Sequence, residues 1–147
     1  MNTYETMKIR HQNEVNAFPM VFAFSNEQFK EAMAQLGLKP DQTDKIYKFG
    51  DTGGIYLRSD GPKLFELLYR HEKELSDAID SDPTGDRFVY DMFYYELANH
   101  EYTYTADVTD TVEALGFSMD EVNGNEKLRY ALNKAAKDQR KKNGFSY

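Results

Sequence analysis

The stretch Phe88–Ala106, FVYDMFYYELANHEYTYTA, holds seven aromatic side chains with Asp91, Glu96, Glu101 and His100, and neither lysine nor arginine. Phe93 and Leu97 stand four apart, with Tyr90 or Tyr94 on the same side, so its first part reads as a helix from about Asp86 to Asn99. Asp91, Tyr95 and Asn99 share another side. Tyr102–Thr105 then alternates, which predicts a short strand or an extended connection. A helix this aromatic needs neighbours to bury it, so the segments on either side decide the fold.

Toward the C-terminus, Asp107 or Thr109 opens a helix carrying Val108, Val112 and Leu115 and ending at Gly116. Ser118 with Glu121 forms a capping box, which satisfies orphan amides at a helix start. After Asn123-Gly124 a last helix is expected over about 125–142, with Leu128, Ala131, Leu132, Ala135 and Ala136 inward. Its bases would sit near the helix C-terminus, where they suit the macrodipole.

Toward the N-terminus, Ser81–Asp86 is a loop, and a long helix precedes it. Leu64, Leu68, His71, Leu75 and Ile79 form its expected buried stripe, widened by Phe65, Leu67 and Ala78, with Pro62 near the first turn. Lys45–Phe49 and Gly54–Arg58 flank a glycine-rich turn and read as a β-hairpin. That turn lacks the GKS/T ending of a phosphate loop. Ser25 and Gln28 form a capping box that starts a helix with Phe29, Met33 and Leu36 on one face and Gly37 as its stop. Met20–Phe24 is apolar and expected as a buried strand. Tyr4, Met7, His11, Val15 and Phe18 predict a helix over residues 3–17, closed by Pro19. The expected fold is therefore α+β: a mostly helical single domain, 1–147, of five or six helices. Its small antiparallel sheet would combine the hairpin with one further strand. The pattern Phe29-x3-Met33-x2-Leu36-Gly37 returns as Val108-x3-Val112-x2-Leu115-Gly116, a reused helix-stop pattern.

Charge is spread unevenly. The net charge is −7, yet no base occurs between Phe88 and Glu126, while residues 127–147 carry seven bases against Asp138 alone. A basic last helix balancing an acidic middle is one reading; a surface that repels or imitates nucleic acid is the other. With no cysteine, disulfides and thiolate metal sites are excluded, in keeping with a reducing compartment. The longest apolar run, 17–24, is far short of a membrane span. A soluble cytoplasmic protein without cofactor is expected.

The segments FAFSNEQFKEAMAQLGLKPDQTDKIYKFG (22–50), GGIYLRSD (53–60), YDMFYYELANHEYTYT (90–105) and LGFSMDEV (115–122) together resemble an uncharacterised family of small acidic proteins. These are encoded by Gram-positive gut bacteria and by their phages and mobile elements. The resemblance covers roughly residues 15–135. It implies a genomic setting and a self-contained domain, and it carries over no activity and no functional residue.

Two chemistries compete for the central block. Glu96 and His100 stand four apart, so on a helix they face one side, with Glu101 adjacent and Asp91 or Asp107 near enough to complete a metal or acid–base site. The second histidine of a zincin motif is missing. Alternatively Asp91, Tyr94, Tyr95, Glu96, His100, Glu101, Tyr102 and Tyr104 form an interaction surface, since tyrosine anchors interfaces. Core side chains with hydroxyls at the rim are the bland reading of the same tyrosines. Nucleic acid is not expected at this patch, because base stacking needs lysine or arginine beside the aromatics. The leading expectation is a non-enzymatic accessory protein that binds another protein through an acidic, tyrosine-rich surface, with mimicry of DNA as its specific form. A small metal-dependent enzyme around Glu96 and His100, and a self-associating module, are the alternatives.

Overall fold

The computed structural model describes residues 2–144. Their contacts fall into two compact units, one of residues 2–10 and 74–144 and one of residues 11–73. Eight helices, where five or six were expected, and one three-stranded antiparallel sheet build them, among the described residues. The class is α+β and mostly helical, as the periodicities predict.

In the second unit, helix α2 (Asn26–Gln35) and strands β1 (Val21–Phe22), β2 (Ile46–Phe49) and β3 (Gly54–Leu57) surround one core. Strand order is β1-β3-β2, with Val21 opposite Ile55 and Lys48 opposite Ile55 on the other side. Ala32, Met33, Ile46 and Ile55 form the core, with Val21, Ala23, Phe29, Leu36 and Leu38 packed on it. Met20–Phe24 is not the buried strand the sequence suggests. Val21 and Ala23 pack on this core, so the two-sided pleat sends Phe22 and Phe24 the other way; Phe24 is 75% exposed. Just past β3, Arg58 donates from Nε to the Ile46 carbonyl at 3.0 Å and lies over the Tyr47 ring.

Ser25 caps α2 as expected, accepting from the Gln28 amide, but Gln28 Oε1 reaches the amide of Phe24 rather than that of Ser25. At the other end, Gly37 has φ +77, its amide bonds Ala34 O and the Leu38 amide bonds Met33 O. This is a Schellman stop. Gly116 repeats it in the first unit, with φ +86, its own amide on Glu113 O and the Phe117 amide on Val112 O. The repeated sequence pattern is thus a repeated backbone device.

The first unit is built around α4 (Phe88–Asn99) and α8 (Glu126–Lys142). Val89, Met92, Phe93, Glu96 and Leu97 recur at helical spacing and are buried, facing the cluster that includes Leu128, Ala131, Leu132, Ala135 and Ala136. The alanines keep the α8 face low, which lets a large aromatic such as Phe93 be enclosed completely. Short helices α5 (Tyr102–Thr105), α6 (Thr109–Ala114) and α7 (Met119–Asn123) connect the two. Tyr102–Thr105 is a helical turn and neither strand nor extended connection. Left-handed residues Glu101 and Ala106 bracket it, and the Ala106 amide closes it on Tyr102 O at 2.7 Å. One turn buries Tyr102 and turns Tyr104 outward.

Helices α1 (Thr3–Ala17) and α3 (Gly61–Asp80) contribute residues to both units. The apolar stripe of α3 is less enclosed than expected: Leu64 is buried, Leu68, His71, Leu75 and Ile79 are half-buried, and Phe65 is exposed. Asp82, in the loop after α3, is buried and accepts from the amides of Gly85, Arg87 and Val89 at 3.0 Å each. It thereby satisfies orphan donors at the start of α4. No helix among the described residues is long and apolar enough to cross a membrane.

Candidate functional site

The central block divides into an inner and an outer set. Glu96 holds a core position on α4 and is 4% exposed. A buried carboxylate needs a cation, and Lys8 of α1 supplies it at 2.9 Å, with Asn99 Nδ2 at 3.4 Å from the same oxygen. Burial first, and the Glu96 charge second, push the Tyr4 hydroxyl far above the usual tyrosine range. Asp91 serves the start of α1, its Oδ2 accepting from the Thr3 amide at 2.9 Å and the Thr3 hydroxyl at 2.7 Å. His100 ends α4, where its amide bonds Glu96 O at 2.9 Å. No hydrogen bond or ion pair joins its imidazole to Glu96, and no group of three histidine or acidic side chains among the described residues is placed to hold a metal.

The tyrosines mostly line the edge of the core. Tyr102 is buried and its hydroxyl accepts from Arg140 at 2.6 Å. Tyr90 and Tyr94 stack with centroids 5.7 Å apart, and Lys134 and Lys142 of α8 lie over them at 5.3 and 5.8 Å. Tyr95 packs on Tyr4 with Lys8 5.3 Å above its ring. Burial, then the hydrogen bond to Asp138 at 2.7 Å, raise the Tyr90 hydroxyl well above its usual range. The basic helix therefore meets the aromatic rings of α4 by attraction of cations to ring faces, while Lys134 also pairs with Asp86 at 2.9 Å.

What remains outside is acidic. Glu101, Asp107, Asp110, Glu113, Asp120, Glu121 and Glu126 are all exposed, and none forms an ion pair among the described residues. Two serve local turns: Asp107 accepts from the Thr109 amide, and Glu121 completes the capping box of α7 with Ser118. Hydrogen bonds from Thr109 hold the Asp107 carboxyl below its usual value, so it stays ionised. Tyr104, 84% exposed, stands within this run. Of the eight side chains expected at a surface, Glu101 and Tyr104 are exposed, Glu96 and Tyr102 are buried, and Asp91, Tyr94, Tyr95 and His100 are half-buried.

A protein-family model, the family of unknown function DUF7659, matches residues 3–138. The chain belongs to that family. No curated protein and no solved structure matches it. For the DUF7659 chain, then, the site rests on its own geometry. Two features had no strong signal in the sequence. Asp82 read as part of a loop, although Asp-Pro-Thr-Gly ahead of a helix suits a side chain that bonds onward amides. Glu96 read as a surface ligand, although its spacing from Val89, Met92 and Phe93 already placed it on the buried side.

Proposed function

We propose that this DUF7659 protein is a non-enzymatic accessory protein, carried by a phage or mobile element, that binds a basic surface of another protein. The observation that carries the reading is the run of seven exposed carboxylates from Glu101, just before α5, to Glu126, at the start of α8, without a base in the segment or an ion pair among the described residues. Uncompensated charge on one segment raises association rates with an oppositely charged partner and suppresses like-charged ones. Tyr104 supplies an aromatic contact within the run. Mimicry of DNA is the specific form, and its charges would be those of Glu101 to Glu126, because Asp91 and Glu96 are engaged within the fold. The setting in phages and mobile elements comes from the family resemblance of the sequence.

The test is a tagged pull-down from nuclease-treated host lysate, run in parallel with two variants. One neutralises Glu101, Asp107, Asp110 and Glu113 to their amides; the other neutralises Glu27, Glu31 and Glu66. A partner that normally binds DNA, lost with the first variant and kept with the second, supports the reading. Retention by both sinks it.

A further inference from the structure

The acidic surface leaves unused one cluster of titratable groups, in the second unit. His11 of α1 and His71 of α3 stack face to face, with ring centroids 3.8 Å apart and planes 11° apart. The His71 side chain is 11% exposed, and its Nε2 is buried without a hydrogen bond, with Glu14 Oε1 3.5 Å away. Glu14 is itself bound by the Arg70 guanidinium. Four groups thus face one another: His11 and Glu14 from α1, Arg70 and His71 from α3.

Neutral imidazoles stack favourably, as other flat rings do. Two imidazolium rings at the same separation repel, and enclosure weakens the screening that water would supply. Glu14 favours a cationic His71, but its charge is already shared with Arg70. Burial is the larger influence, His11 follows, and both hold His71 below its ordinary value against the pull of Glu14.

We propose that the His11–His71 stack is a proton-sensitive latch, holding the second half of α1 against α3 at neutral pH and releasing it on mild acidification. Beyond the latch, Val15 and Phe18 help to line a slot of about 210 Å³ with Met20, Phe22 and Phe49, edged by the polar side chains of Gln12, Asn16 and Thr52. Phe18 also packs edge-on to Tyr56 at 5.9 Å. Release of α1 removes one wall of this slot, so the acid form exposes Val15 and more of the rings of Phe18 and Phe49 beside the already exposed Phe22. The direction follows from linkage. A histidine held below its usual value of 6.5 stabilises the closed state fully above that pH. That stabilisation is lost as pH falls from there toward the value in the folded state.

Hydrogen exchange of the full chain, read over residues 11–17 and corrected for intrinsic rates, tests this at about pH 7.5 and about pH 5.5. The wild type is compared with a His11→Phe/His71→Phe double variant, which keeps two stacked rings without titratable nitrogens. Protection of the wild-type segment should fall severalfold, up to about tenfold, on acidification, and that of the variant should hold. An unchanged wild type, or an equal fall in both, overturns the latch. Should the variant not fold, the wild-type imidazoles are titrated by NMR. His71 titrating below its ordinary value supports the latch, and titration at or above that value overturns it.

Discussion

At the scale of single residues, the structure places its most consequential polar groups where burial makes them expensive to lose. Asp82 accepts three backbone amides while 2% exposed. Asp82→Ala strands those donors and should lower the unfolding free energy by about 2–4 kcal/mol, measured by urea titration. Burial alone would raise the Asp82 carboxyl, but bonds from Val89, Arg87, Gly85 and Thr84 together hold it below its usual value. Its stabilisation is therefore complete above pH 3.8 and disappears as pH falls from there through the folded value. The Asp82→Ala protein should accordingly lose less stability than the wild type over that acid range. Lys8 and Glu96 are a second case, and an asymmetric one. Lys8→Met leaves a buried carboxylate without its cation and should cost about 3 kcal/mol, whereas Glu96→Gln removes the charge itself and should cost about 1–2 kcal/mol. Equal losses in chemical denaturation would contradict the burial argument.

Among the elements, the helix stops at Gly37 and Gly116 show how local sequence becomes backbone. Both lie in the left-handed region with open space where a side chain would project, so a substitution meets no clash. The cost of Gly37→Ala and of Gly116→Ala is then backbone strain alone, about 1 kcal/mol each in thermal unfolding. These stops, the caps at Ser25 and Ser118, the hairpin and the helices over 3–17 and 126–142 were all legible in the chain, because each depends on residues a few positions apart. Tyr102–Thr105 was not. Its alternation matches a strand, yet left-handed Glu101 and Ala106 fold it into one turn, and Tyr102 finds a buried place against the helix bearing Arg140.

For the molecule as a whole, two hydrophobic clusters lead to separable responses. Met33 belongs to the cluster of the sheet and α2, and Phe93 to that of α4 and α8. Met33→Ala and Phe93→Ala should each cost about 3–5 kcal/mol. Segment-resolved hydrogen exchange should show the first loosening residues 20–57 most and the second residues 88–142 most. Uniform loosening by either would mean that the two clusters open together.

Apart from the turn at Tyr102–Thr105, the main helices, the hairpin and the uneven charge along the chain were settled by the order of residues, since periodicity, caps and turn glycines act over one or two turns. The charge pattern also survives folding, because the acids of 101–126 find no base among the described residues. Which tyrosines lie inside, and which carboxylates are free, was decided only by tertiary contact. Glu96 meets Lys8 across 88 positions, Tyr90 meets Asp138 across 48, and His71 meets His11 across a turn, a helix and a hairpin. No local rule links residues so far apart; the pairing follows from which helix faces must be buried together.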